Sequence, residues 1–483
     1  MNLASLLLTH AHGRPDHPAI EREDAALSYA EAFSLVGRFA GRLARAGASE
    51  GARVGLCLRD SADHLLMHYA VAWLGATIVP IDHRWKAGEK TAIATAFDCK
   101  VVVTEADEDG IDEQRRLVLD LSWNEETGRV PAMADDRDLA VLLSLSSGTT
   151  GRPTGALVSH GQLYERFISQ WVGMGFNASD RYLLATPLYF GGGRSFAMST
   201  LAAGATVVMA AGLKPEAIAD IAREKRISSL FLVPTQIRRM LEAHRERGLA
   251  LPRVRCLVTS GAAMPAADRS RVIERLTPNL TDYYATSEGG GIAVLLPAEQ
   301  SAFAETVGRP AFRVEIEVVD SDGKPLPRGE IGLLRYRGPG VSTKLVDASG
   351  GVTEADGWFA PGDLAQLTPS GHVRLVGRLK DVIIRGGVNI YPAEIEAVLG
   401  THPAIVEASV FGVPDADLGE IVAVAVVPRA GADLTREAIL HYVGERLALY
   451  KVPQRLVFVA ELPRNPSGKV VKAALPAVLA AVS

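Results

Sequence analysis

The sequence predicts an α/β protein: a large N-terminal domain of α/β sheets, a small β-rich subdomain, and then a small α+β C-terminal domain. Three observations carry this. Strand-like and helix-like runs alternate from the N-terminus to about residue 300. From Arg309 the texture changes to short alternating segments (VEIEVVD, GEIGLLRYRG, HVRLVGRLKD) parted by DG, PRG and PSG turns. The length of 483 residues exceeds what one domain of about 100–200 residues holds, and a hydrophobic fraction of 48% is enough for several cores.

Taken in order, MNLASLLLTHAHG reads as a first amphipathic helix, without the basic leader of a signal peptide. Leu27 to Ala48 has apolar residues at helical spacing and stops at a glycine turn. Arg53 to Arg59 is a short strand. Leu65 to Asp82 is a helix running through Gly75 into a strand, and Lys100 to Glu105 is another strand. Repeated strand–helix–strand order argues for a largely parallel sheet. Residues 105–138 are acidic and irregular. GALVSH continues as a strand and GQLYERFISQWVGM as a helix. Beyond residue 400, VEASVFGVP, IVAVAVVP, LTREAILHYVGERLA and RLVFVAELP read as a strand, a strand, a helix and a strand.

Composition excludes several classes. The net charge of −5 offers no basic footprint for nucleic acid. No apolar run approaches the ~20 residues of a membrane span, so the expected location is cytoplasmic. Cys57, Cys99 and Cys256 lie far apart in apolar runs, which suits buried free thiols better than disulfides or a metal site. Oligomeric state leaves no trace in the sequence.

The chemistry gathers in loops that follow strands. The apolar run Ala140 to Leu145 delivers SLSSGTTGRPTG, Ser144 to Gly155, in which eight of the ten residues from Ser146 onward are Ser, Thr or Gly. Such a loop lets backbone N–H groups converge on an anion, and its hydroxyls can ligate Mg2+. Three further loops follow apolar runs: Gly191-Gly192-Gly193, the SGAA that begins at Ser260, and YATSEGGG from Tyr284 to Gly291. Open α/β sheets bind ligands beyond the carboxyl ends of their strands, so four such loops favour one shared site. Asp363, after the Pro-Gly turn of GWFAPGD, is a carboxylate suited to gripping a ribose diol.

These residues resemble the acyl-adenylate-forming superfamily of acyl-CoA synthetases, peptide-synthetase adenylation domains and luciferases. SSGTTGRPTG resembles its phosphate loop and YATSE its Tyr-Gly-x-Thr-Glu motif, with Ala285 and Ser287 as departures. TVGRP, GWFAPGD, GRLKDVIIRGGVNIYPAEIE, GVPD and NPSGKVVK follow in family order over nearly the whole chain. The resemblance implies a two-step reaction. A carboxylate attacks the α-phosphate of Mg-ATP, releasing pyrophosphate. A thiol, usually that of coenzyme A, then displaces AMP. It also implies site residues. Ser146, Ser147, Gly148, Thr149, Thr150 and Gly151 would hold the β- and γ-phosphates. Thr149 and Glu288 would ligate or orient Mg2+. Gly261, Ala262 and Ala263, with Asp282, Tyr283 and Tyr284, would frame the adenine, and Ala285, Thr286 and Ser287 would complete the ATP site. Asp363 and Arg378 would hold the ribose. Lys469 would bridge the carboxylate and the α-phosphate. Tyr189, Phe190, Gly192, Arg194 and Ser260 would line the acyl pocket, and Gly386 and Gly387 the coenzyme A tunnel. Residues 1–378 would form the adenylation domain. Residues 379–483 would form a mobile domain that carries Lys469 and turns about the hinge at Lys380.

Two positions depart from the family. Thr154, in GRPTG, stands where most relatives carry lysine, so one cation near the pyrophosphate is missing and ATP affinity should fall. Phe190 stands where histidine is common, and Arg194 is unusual in an apolar stretch. Arg194 would either pair with a second substrate carboxylate or snorkel to the surface. The expected activity is that of an acid–thiol ligase using coenzyme A. The chain ends soon after NPSGKVVK, which leaves no room for a fused carrier. The alternatives are an adenylating enzyme that loads a separate carrier protein, and a nucleotide-binding protein with catalysis weakened at Thr154. The acid itself is not legible.

Overall fold

Four sheets organise the chain in the computed structural model, which describes residues 1–483 apart from 24, 126–127, 147–152, 211–212, 245–247, 263, 265, 348, 350, 355–356, 465–469 and 483. The first sheet has nine strands. Its centre is a parallel run of Leu280–Thr286, Cys256–Thr259, Ser229–Leu232, Arg181–Leu183, Thr206–Val208 and Pro18–Glu21. The second has eight strands, with Ala140–Ser146, Thr77–Pro80, Arg53–Cys57, Cys99–Thr104 and Arg116–Val118 in parallel order.

The expectation of a largely parallel sheet holds only for these centres. Both sheets close with antiparallel strands. Gly290–Leu295 returns beside Leu280–Thr286, and Thr154–Ser159 returns beside Ala140–Ser146. The physical reason is connection length. A few residues between two strands can make a hairpin, whereas a parallel neighbour needs a crossover of a dozen or more.

The helices Ala4–Gly13, Tyr29–Arg45, Ala62–Trp73, His160–Met174 and Gly191–Ala202 pack on one another. Their apolar faces join both sheets in one core that includes Phe39, Tyr69, Phe167 and Phe196 from the helices and Val54, Ile78, Tyr182 and Val258 from the strands. Local chemistry sets several helix starts. Ser28 and Ser159 accept from the backbone N–H three residues on, with Glu31 and Gln162 reciprocating in capping boxes. Gly175 closes the helix His160–Met174 in a left-handed conformation at φ 74°.

The third sheet is antiparallel, in the order Glu315–Val319, Ile331–Arg337, Asp363–Leu367, Val373–Arg378, as the change of texture at Arg309 predicts. The fourth pairs Ile383–Arg385 with Val388–Ile390 and with Gly419–Pro428. The last of these also pairs with Ile405–Asp415 and, in parallel, with Arg455–Phe458. It has its own core around Ile395, Val410, Val424 and Ile439. Lys380 lies exposed in the one-turn 3-10 segment Leu379–Asp381 between the third and fourth sheets.

The three cysteines are free and buried, and burial pushes each thiol up to about 12. Among the described residues no helix is long and apolar enough to cross a membrane.

Candidate functional site

The carboxyl ends of four neighbouring parallel strands, at Leu183, Leu232, Thr259 and Thr286, open onto one edge of the first sheet. Their loops carry Tyr189–Phe190, Val233, Ser260–Ala262 and Ser287–Glu288. The second sheet brings the two strands that flank the glycine-rich segment to this edge. These strands form a hairpin in which Ser146 faces Thr154 and Leu145 faces Gly155. The tip (147–152), which holds Ser147, Gly148, Thr149, Thr150 and Gly151, lies outside the described residues, as do Ala263, Lys469 and the side chain of Ser146. One bond ties the two sheets together here: Ser287 Oγ donates to Leu145 O at 3.1 Å. It sets this hairpin against the strand end that bears Glu288.

The YATSE segment is held from several sides. Tyr284 Oη donates to Asp363 Oδ2 at 2.5 Å. Asp363 sits directly across the strand pair from Arg378, and Arg378 Nε is 3.0 Å from its Oδ1. The carboxylate is buried, while the guanidinium is about half exposed and turned to the solvent side. Burial and the neighbouring Asp363 charge keep the Tyr284 phenol protonated, far above its ordinary value. Tyr284 is therefore a fixed donor that orients Asp363. Thr286 Oγ1 lies 2.5 Å from Tyr336 Oη and accepts from Gly289 N at 2.9 Å. Glu288 is half-buried, and among the described residues no cation pairs with its carboxylate. A free carboxylate of this kind is a hard oxygen donor of the sort Mg2+ takes alongside substrate phosphates.

Sequence reading missed Arg166. It lies on the helix His160–Met174, 7% exposed. Its Nε donates to Gly340 O at 2.8 Å and its Nη1 to Ser287 O at 3.3 Å, while its Nη2 donates to Glu288 O. Ser342 N adds a second donor to Glu288 O at 2.8 Å. Burial pulls the guanidinium down to about 10, so it stays charged at neutral pH. Spacing could have found it. Leu163, Arg166, Phe167, Gln170 and Met174 follow the i, i+3, i+4, i+7 pattern that marks the inward face of a helix.

Asp282 is placed differently from its neighbours. Its carboxylate forms a buried ion pair with Arg269, which also donates to Gln300 Oε1 at 2.9 Å. Burial, opposed by Arg269, lifts this carboxyl to about 6. Only the Asp282 backbone is left for a ligand. Strand alternation turns Tyr283 the other way, into the core, 5.6 Å edge-to-face from Phe196. Ala285 is half-buried. Gly261 and Ala262 are exposed at the strand end, Gly261 with φ 96°. Ser260 is half-buried beside them.

Gly191, Gly192 and Gly193 form the first turn of the helix Gly191–Ala202, where an apolar strand breaking into a loop is expected. The strand ends at Leu183, and Pro187, four residues on, cannot donate to a ladder. Glycine is required here. A Cβ on Gly192 would lie 2.5 Å from the Phe231 ring, and one on Gly193 2.2 Å from Thr186 O. Phe231 stacks on Phe196 at 5.2 Å, so Gly192, Phe231, Phe196 and Tyr283 form one continuous apolar wall. Tyr189 is buried and Phe190 half-buried. The Arg84 guanidinium lies 4.8 Å over the Tyr189 ring, itself held by Asp82. Arg194 is buried behind the glycines. Gly386 (φ 55°) and Gly387 (φ 79°) are the two central residues of an exposed hairpin that pairs Arg385 with Val388, a turn that needs positive φ at both.

The sequence pattern of AMP-binding enzymes matches residues 7–345, and that of the AMP-binding enzyme C-terminal domain matches 394–469. The chain is 32% identical over 485 residues to a feruloyl-CoA synthase from an Amycolatopsis species, covering 97% of each. It is 32% identical over 495 residues to an indoleacetate–CoA ligase from Aromatoleum aromaticum, covering 98% of this chain and 97% of that one. Among solved structures, ATP-bound MatB from Rhodopseudomonas palustris superposes with a TM-score of 0.90 at 28% identity, covering 99% of both chains. The o-succinylbenzoate CoA synthetase of Bacillus subtilis, in complex with its acyl-adenylate intermediate, superposes at 0.87 with 25% identity, covering 97% of both. The chain therefore belongs to the AMP-binding enzymes, the acyl-adenylate-forming superfamily that its motifs resemble.

Proposed function

We propose that this chain is an AMP-forming acid–thiol ligase that activates a small carboxylic acid with ATP and passes the acyl group to coenzyme A. The observation that carries this reading is the pair of bonds joining its parts. Ser287 to Leu145 links the phosphate-loop hairpin to the segment bearing Glu288, and Tyr284 to Asp363 links that segment to the carboxylate and guanidinium beyond it. In this reading the described residues assigned to metal, ribose and acyl group lie about one strand edge, beside the strands that flank the phosphate loop. The full-length similarity to CoA ligases supports it.

In the first step an oxygen of the acid attacks the α-phosphorus of ATP. The bond to the β-phosphate bridging oxygen breaks, and pyrophosphate leaves. The chain's contribution is positioning and neutralisation of spreading charge. Asp363 accepts from the ribose hydroxyls, oriented by Tyr284 and Arg378. Ser146 to Gly151 cradle the β- and γ-phosphates. Glu288 and Thr149 would hold Mg2+, which would neutralise phosphate charge. Lys469 neutralises the acid carboxylate and the α-phosphate. Ala262 and the backbone of Asp282 to Tyr284 flank the adenine, and the Tyr189–Phe190 and Gly192–Phe231 walls take the acyl group. In the second step the thiol of coenzyme A attacks the acyl carbonyl, AMP leaves with the bonding pair, and the thiol proton goes to solvent. Residues 379–483 turn about Lys380 between the steps and present the Gly386–Gly387 hairpin to the pantetheine arm. The protein works in the cytoplasm.

The test is acid-dependent exchange of pyrophosphate into ATP across a panel of acids, followed by thioester formation with coenzyme A. Exchange with at least one acid, abolished by Lys469→Ala, supports the reading. No exchange with any acid overturns it.

A further inference from the structure

Arg194 is 3% exposed on the helix Gly191–Ala202. Helical Cα–Cβ bonds tilt toward the N-terminus, and this side chain follows them back over its own first turn. Its Nη1 donates to Leu188 O at 3.2 Å and to Tyr189 O at 3.3 Å. Among the described residues its Nε and Nη2 have no acceptor, and no carboxylate forms an ion pair with it. The sequence option of snorkelling to the surface does not occur.

Its neighbours make the charge harder to account for. The charged group that acts on it is Arg166, of the same sign. Burial holds down the imidazoles of His64 and His68, stacked at 5.1 Å on the helix Ala62–Trp73, and the Arg194 charge adds a smaller push in the same direction. Burial lowers the guanidinium only to about 10, so it carries its charge at neutral pH. Buried charges in proteins are paired or serve a ligand. Two backbone carbonyls could be satisfied by a neutral donor at far lower desolvation cost. Arg194 lies two residues past Gly192 on the same helix, and its guanidinium bonds the backbone of the loop that carries Tyr189 and Phe190, whose rings pack on each other at 4.6 Å. A single charge placed beside aromatic side chains is a usual means by which a site reads one polar group on its ligand.

We propose that Arg194 reads a second acidic group on the substrate, so that the chain adenylates a dicarboxylic acid whose distal carboxylate pairs with the free Nε and Nη2 of this guanidinium. This rests on the acid–thiol ligase reading. Pairing satisfies both remaining donors in the fork geometry that carboxylates match, and it supplies the negative charge that the protein itself does not.

Pyrophosphate exchange with matched acids provides the test. Each set shares one carbon skeleton and ends distally in a carboxylate, a carboxamide, a hydroxyl or a methyl group. The wild-type chain should favour the diacid in kcat/KM within a set. Arg194→Met should cut the ratio of diacid to methyl-ended acid by roughly 30-fold or more, the usual consequence of truncating one partner of a buried charge pair. Arg194→Lys, which keeps the charge on a single point donor, should retain part of that ratio. A wild-type preference for hydroxyl- or methyl-ended acids overturns the inference and leaves the ligase reading standing. So does a ratio that Arg194→Met leaves unchanged. Absence of exchange with every acid overturns both. The wild-type preference alone is decisive if Arg194→Met fails to fold.

Discussion

Replacing Arg166 with methionine tests whether a buried guanidinium holds the Glu288 segment in place for the proposed Mg2+ site. The substitution keeps the apolar stem and removes donors to three carbonyls, those of Gly340, Ser287 and Glu288. At about 1.5–3 kcal/mol per bond from a charged donor, the three contribute roughly 5–9 kcal/mol. Against this stands the cost of burying the charge. The drop of the guanidinium from 12.5 to about 10 corresponds to roughly 3 kcal/mol at about 1.4 kcal/mol per pH unit. The expected net loss is roughly 2–6 kcal/mol in urea unfolding, toward the lower end because the 3.3 Å bond to Ser287 is weak. Because Ser287 and Glu288 lose their anchor, pyrophosphate exchange should need more Mg2+ to reach half its maximum, about tenfold or more. Arg166→Lys has one point donor for three acceptors, so it should recover only part of both effects. A loss below about 0.5 kcal/mol, or an unshifted Mg2+ dependence, would refute the argument that this residue positions Glu288.

Three other outcomes follow from the same geometry. Tyr284→Phe removes the donor to Asp363 Oδ2 and should raise the KM for ATP by about 5–30-fold, with a smaller change in the KM for the acid; equal changes in both would count against Asp363 as a ribose ligand. Thr154→Lys restores the cation that relatives carry, but position 154 pairs across the strands with Asp347, so the new ammonium has a carboxylate beside it. The KM for ATP should fall by no more than about threefold, and a tenfold fall would show that the missing lysine limits binding. Burial, aided by the N-terminal amine, lowers His160 from 6.5 to about 4. Below pH 6.5 the unfolded chain therefore binds a proton that the folded chain does not, and stability is full above pH 6.5 and lost as pH falls toward 4. His64, lowered by burial to about 3, acts in the same direction. Each should cost about 2 kcal/mol between pH 7 and 5. His160→Gln should flatten the slope of urea midpoint against pH by one such share, and an unchanged slope would exclude His160 as a source.

By itself the sequence determined the α/β class, the change to antiparallel β structure at Arg309, the order of the motifs and the superfamily. These are local properties. Periodicity, turn residues and short motifs act within a few residues along the chain, where spacing is visible. Capping boxes at Ser28 and Ser159 and the double-glycine hairpin at Gly386 belong to the same kind. The tertiary structure decided what depends on neighbours remote in sequence. Spacing can put Arg166 on the inward face of its helix, but only the tertiary structure brings it to Ser287 and Glu288, 121 and 122 residues further on. Asp282 reads as a ligand-site carboxylate until Arg269 is found against it. Gly191 to Gly193 read as a loop, but the Phe231 ring and the Thr186 carbonyl press on Gly192 and Gly193 and make them the first turn of a buried helix. Arg194 could have gone to solvent or to a ligand. That choice is set by the direction of one helical side chain and by the absence of a carboxylate among the described groups around it, neither of which a linear sequence records.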